Sequence, residues 1–127
     1  MNDLSKYQFE FLVETCYLPE QSDESKSSFV FSYTIEIINV GEKSAQLISR
    51  HWIITDGNNT INEVRGEGVV GQQPIIKPSR LFKYTSGCPL STPVGTMKGS
   101  YLFLGEDGQK FEVEIPEFVL SKPHALH

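Results

Sequence analysis

The sequence predicts an all-β fold, an antiparallel β-sandwich of about seven to eight strands in one domain over residues 1–127. Three observations predict it. Apolar residues recur at every second position through most of the chain, the period of a half-buried strand. No window of a dozen residues carries a helical period. Clusters of Gly, Pro, Asn and Asp punctuate the alternating runs, as they do where short strands turn back on each other.

The strands follow in order. Phe9, Phe11, Val13, Thr15 and Tyr17 share one face, with Glu10 and Glu14 on the other. Pro19 to Ser28 reads as a polar loop. Phe29, Phe31, Tyr33, Ile35 and Ile37 line a long second strand ending near Asn39-Val40-Gly41. A third runs from Ala45 to Thr55, with Ile48, Arg50, Trp52 and Ile54 on one side, and Asp56-Gly57-Asn58-Asn59 turns the chain. Thr60 to Arg65 is a shorter strand. Arg80 to Ser86 alternates again with Phe82 and Tyr84 inward, while Gly87 to Gly95, with Pro89 and Pro93, reads as an irregular loop. Thr96 to Leu104 places Met97, Gly99, Tyr101 and Phe103 on one face. The last strand starts near Lys110 and buries Phe111, Val113 and Ile115, and residues 122–127 read as a mobile tail.

The final hairpin fixes its own register. Directly opposed residues point to one face, so Phe103 opposite Phe111 needs an odd loop, here Glu106-Asp107-Gly108, with Gly108 supplying the left-handed position. Tyr101 then opposes Val113. Past Ile115 the apolar parity passes to Phe118 and Leu120, which places one extra residue, a bulge, at Pro116-Glu117. Ile76-x-Pro78 followed by Phe82-x-Tyr84 resembles the corner of immunoglobulin and fibronectin type III-like sandwiches. Tyr84 is therefore the candidate for a hydroxyl capping the chain where it crosses between sheets.

Charge and composition narrow the function. Net charge is −5, with 11 basic against 16 acidic residues, and the nearest approach to a basic cluster is Lys77, Arg80 and Lys83. Phosphate-backbone binding rests on clustered cations, so no nucleic-acid partner is expected. No apolar run approaches the roughly 20 residues of a membrane span, and the start MNDLSKYQFEF lacks a leader pattern. The expected location is the cytoplasm, with Cys16 and Cys88 reduced. Cys16 reads as a small core or edge residue. Cys88, before Pro89, reads as an exposed loop residue, and a nucleophilic role would need a base from His51, His124 or His127. No metal-ligand spacing occurs. Glu10, Glu14, Glu112 and Glu114 alternate as solvated faces, and no catalytic group assembles in the sequence.

The motif that needs explaining is Gly66-Glu67-Gly68-Val69-Val70-Gly71. It spells GxGxxG, which in dinucleotide-binding proteins opens a helix whose N-terminus holds a pyrophosphate. Here Pro74 and Pro78 follow, and an ordinary helix cannot begin there. Three readings stand: Gly66, Gly68 and Gly71 as structural joints, the favoured one; an anion nest of backbone amides; or a true coenzyme turn. Arg50 and Trp52, two apart on one strand, form either a surface pair or a core pair, with a cation–π contact and Asp56 as a candidate partner for the arginine. Trp52 is favoured as a core anchor.

Several blocks, in order, resemble the bacterial ApaG family: Arg50 to Gly57 (RHWIITDG), Glu63 to Pro74 (EVRGEGVVGQQP), Tyr84 to Gly87, Thr92 to Tyr101, and Phe111 to Phe118. Lys77-Pro78-Ser79 departs from the pattern, where proline is usually followed by glycine, and implies a slightly different corner. The resemblance implies a fibronectin type III-like sandwich of undefined molecular activity, encoded beside a dinucleoside-polyphosphate hydrolase and linked to cobalt and magnesium efflux. Similar domains end eukaryotic F-box and polymerase-associated proteins. The expectation is a non-enzymatic module without cofactor that binds a protein partner, using the loops 19–28 and 87–95, and able to pair edge strands as a homodimer. The alternative is a nucleotide- or pyrophosphate-binding protein using Gly66, Gly68 and Gly71.

Overall fold

The structure, a computed structural model, describes residues 6–125. Eight strands form in the order β1 (Phe9–Tyr17), β2 (Phe29–Asn39), β3 (Ala45–Asp56), β4 (Ile61–Glu67), β5 (Ile75–Ile76), β6 (Leu81–Leu90), β7 (Val94–Gly105) and β8 (Lys110–Ser121). All pairings are antiparallel. One sheet runs β1-β2-β6, and the other runs β4-β3-β7-β8 with β5 also on β3. The predicted all-β antiparallel sandwich is what the chain forms. Among the described residues, no helix is long and apolar enough to cross a membrane.

Alternation builds the core. Phe31, Tyr33, Ile35, Ile37 and Asn39 of β2 are all buried, and face Trp52, Met97, Tyr101, Phe103 and Leu120 from the other sheet. Phe103 opposes Phe111 and Tyr101 opposes Val113, as the loop arithmetic requires, and Gly108 holds φ +85°. Between Met97–Phe118 and Gly99–Ile115 the register shifts by one residue on β8, which is the bulge expected at Pro116-Glu117. A second bulge went unforeseen. Leu47 opposes Phe103 while Ser49 opposes Leu102, so Ile48 is the extra residue and does not share the inward face of Arg50, Trp52 and Ile54.

Two other expectations need correction. Gly87 to Gly95 is no open loop: β6 continues through Leu90, paired with Phe29–Ser32 of β2, and β7 resumes at Val94. Long-range pairing overrides the local Gly and Pro signals, and Pro89 is tolerated because β6 is an edge strand. Cys88 consequently faces inward at 3 % exposure, while Cys16 is exposed on the edge strand β1. The 19–28 segment carries two short 3₁₀ turns, Pro19–Gln21 and Glu24–Lys26. Of the segment read as a tail, Lys122 is held by Glu24 at 2.7 Å and by the Pro93 carbonyl, and His127 lies outside the described residues.

The chain crosses between sheets from β5 to β6, where a corner was expected. The cap is Asn39, not Tyr84. Asn39 is fully buried; its amide donates to the carbonyls of Lys43 and Ile76, and its Oδ1 accepts from Gly41 N–H. Its backbone bonds Arg80 and Ser79. Ser79 takes φ +67°, the left-handed conformation a glycine would hold without strain. Tyr84 instead meets the Tyr101 hydroxyl at 2.5 Å inside the core. Burial pushes both phenols well above their ordinary range, so the pair stays neutral and one hydroxyl donates to the other.

Along one flank the two sheets close, where β1 meets the large sheet: Phe9 stacks on Phe103 at 4.3 Å and Tyr7 on Phe111 at 4.7 Å. On the other flank β4 edges the large sheet and β6 the small one, and a cleft of 460 Å³ opens between them.

Candidate functional site

The glycine motif straddles the end of β4, and its three glycines do three different things. No helix follows; the chain turns and enters β5, as the two prolines dictate. Gly66 opposes Arg50, and a Cβ there would lie 2.7–2.8 Å from the guanidinium nitrogens Nη1 and Nη2. Its lack of a side chain makes room for that group. Gly68, at φ +62°, packs so tightly that a Cβ would overlap the Gln72 carbonyl oxygen. Its N–H is taken by Ile48 O at 2.8 Å. Gly71, at φ +79°, faces open space and serves the turn alone.

That turn is strained. Val69 and Gln72 exchange both backbone hydrogen bonds, at 2.8 and 2.9 Å, around the central pair Val70-Gly71, both with positive φ. This is the two-residue hairpin turn that favours Asn-Gly, yet a β-branched, half-exposed Val70 holds φ +44°. Val70→Asn is therefore expected to stabilise the fold by about 1 kcal/mol, read as a higher urea midpoint with an unchanged slope. A lower midpoint would mean that the valine side chain holds more than the backbone loses.

Arg50 does not pair with Asp56. Asp56 accepts from the Asn58 and Thr60 amides and from Ser91, which together hold its carboxyl below the usual range. Arg50 Nη1 donates to the carbonyls of Glu67 at 3.0 Å and Gly68 at 2.9 Å. Its guanidinium thus pins the glycine loop to β3. The aromatic neighbours of Trp52 are Tyr33, Tyr101 and Phe118, edge-on at 5.6–6.2 Å. The pair is split in role: Trp52 is core, 2 % exposed, and Arg50 is a half-buried clamp.

The cleft beside them is built by strand parity. Val64 opposes Trp52, Asn62 opposes Ile54 and Gly66 opposes Arg50, so all six face inward. From the small sheet Tyr33, Ser86 and Cys88 close the other wall. The three strands of that sheet do not reach over β4, which leaves Val64 40 % exposed. Burial pushes the Cys88 thiol up to about 11, so it is protonated and unreactive near neutral pH. Trp52 Nε1 is a buried donor with no hydrogen-bond partner among the described residues, a condition that ordinarily costs about 1–3 kcal/mol.

His51 lies on the outer face, 3.4 Å from Glu63, which also meets Arg65 at 3.6 Å. His124 follows β8 in a turn. Among the described residues, no three His, Cys, Asp or Glu side chains gather as a metal site. Sequence reasoning missed Asn39, Asn62, Ser86 and the inward turn of Cys88. The pairing of β6 with β2 brings Ser86 and Cys88 to their places, that of β4 with β3 brings Asn62, and the loop after β2 together with β5 closes around Asn39.

The fold and this flank define a class: a small antiparallel β-sandwich with one side closed and a cleft on the other. The ApaG domain matches residues 19–105, and the chain belongs to the ApaG family. It is 57% identical to Protein ApaG of Dechloromonas aromatica over 127 residues, all of both chains. It is 60% identical to that of Bordetella pertussis over 111 residues, 87% of this chain and 85% of the relative. A crystal structure of the ApaA protein from Bordetella pertussis superposes with TM-score 0.91 at 55% identity, covering 94% of this chain and 98% of that one. A second X-ray structure, of a structural-genomics target, gives TM-score 0.91 at 45% identity over 98% and 94%.

Proposed function

We propose that this chain is a non-enzymatic binding module whose partner is another protein, docked along β4. The observation that supports the reading is the character of that strand. It pairs with β3 alone, and it shows Ile61 at 61 % and Val64 at 40 % exposure. An open edge with apolar side chains is a ready template for an extended segment of a partner, whose backbone completes the ladder while its side chains settle beside Val64 on the inner face and Ile61 on the outer one. Under this reading, the association with cobalt and magnesium efflux runs through the partner. A photo-crosslinking residue at position 64, introduced in growing cells, should capture a discrete protein species that the same residue at exposed Val119 on β8 does not. Identical patterns at both positions would end the proposal.

The pyrophosphate reading draws support from a narrower observation. Gly68, Val69 and Gln72 amides are already bonded within the fold, which leaves Val70 and Gly71 as the loop amides open to an anion. Two amides at an exposed turn, without a helix dipole behind them, make a weaker cradle than the motif supplies in coenzyme-binding folds.

A further inference from the structure

We infer that the cleft between β4 and β6 binds a small organic carboxylate, with Trp52 Nε1 and Arg50 donating to its oxygens. Trp52 is the chain's one tryptophan, 2 % exposed, and its Nε1 has no hydrogen-bond partner among the described residues. Buried donors are almost always satisfied, so an orphan beside a cleft points to an acceptor that arrives from outside. Trp52 itself lines the cleft, between Arg50 and Ile54 of the same strand.

Charge then selects the acceptor. Arg50 is the charged side chain on the inward faces that line the cleft; Glu63, at the rim, opposes Ile53 on the outer face and is engaged by His51 and Arg65. Only Nη1 of Arg50 is committed to loop carbonyls. The guanidinium keeps further N–H donors, the fork that suits a carboxylate. Asn62 and Ser86 add polar groups, while Val64, Ile54 and Met97 offer apolar wall for an organic body. A volume of 460 Å³ is within the range of small-molecule sites. The ligand class is accordingly an aromatic or branched monocarboxylate. The inference does not depend on a protein docking along β4.

The indole Nε1–H of Trp52 gives a single signal in a ¹⁵N-correlated NMR spectrum, which makes the test direct. Benzoate and phenylacetate at millimolar concentration should move it downfield and saturably, and neither benzamide nor inorganic phosphate should. Arg50→Gln should weaken the response at least tenfold. Gly66→Ala tests the same contact without replacing the donor residue. Its new methyl displaces only the end of a flexible side chain, and it should weaken binding in the same direction. A signal unmoved by both carboxylates, moved equally by benzamide, or insensitive to both variants would overturn the assignment. So would a response to an acidic peptide alone, which would transfer the site to a protein partner.

Discussion

Replacing Asn39 with leucine is expected to destabilise the protein by about 3–5 kcal/mol, a loss readable in the urea midpoint. The residue is the buried polar side chain in a core otherwise lined by apolar and aromatic groups. Leucine is close in volume, so little of the effect is a cavity. It strands the carbonyls of Lys43 and Ile76 and the Gly41 N–H, each bonded to the Asn39 amide at 2.9 Å. Those groups belong to the loop between β2 and β3 and to β5, so one substitution releases the crossing between sheets. Asn39→Asp sharpens the argument. A carboxylate cannot donate to two carbonyls, so burial and repulsion raise its folded pKa above the unfolded value of about 4. The folded state then binds more protons than the unfolded one between those two values, and stability falls as pH rises through that window. The deficit against wild type should be smallest in acid and largest at neutral pH. A loss below about 1 kcal/mol for Asn39→Leu would show that water satisfies these groups and that the corner is held elsewhere.

The places of seven of the eight strands along the chain, the final hairpin register, the Pro116-Glu117 bulge and the absence of a helix after the glycine motif were legible because each follows from neighbours in sequence; β5 and the order of strands within the sheets were not. Phe103 and Phe111 announce their pairing through a loop of three residues, and Pro74 and Pro78 forbid a helix wherever the chain goes. What escaped depends on partners far away in the chain. Gly87 and Pro89 signal a loop locally, but β2 offers ten paired positions to β6 and holds them extended. Ile48 looks inward by parity until β7 imposes a bulge. From sequence the Tyr84 hydroxyl reads as a cap on the crossing chain, Arg50 as a neighbour of Trp52 or Asp56, and Cys88 as an exposed loop residue. Packing between the sheets gives Tyr84 the Tyr101 hydroxyl and turns Cys88 into the cleft wall, while the neighbouring strand β4 gives Arg50 the Glu67 and Gly68 carbonyls. The cleft itself was illegible, since it exists only because three strands cover fewer than four.

Gly99→Ala is the second large effect, and two principles disagree about its sign. Alanine in a strand restricts the unfolded chain more than glycine does, which alone would stabilise by about 0.5–1 kcal/mol. Sterics oppose this. The added methyl at Gly99 would overlap the His51 carbonyl oxygen, which belongs to the backbone of β3 and cannot swing aside, and would press on Trp52. Relief requires β7 to part from β3 next to the register shift at Met97–Gly99, in the centre of the large sheet. A cost of at least about 3 kcal/mol is expected, so sterics win. The site should respond as well, because the added methyl would press on the Trp52 ring at Cε3. Folded Gly99→Ala, held below its midpoint, should show a changed tryptophan emission and an altered near-ultraviolet circular dichroism band. Val70→Asn, remote from the ring, should leave both unchanged. Equal or greater stability for Gly99→Ala would mean that the two strands separate without penalty.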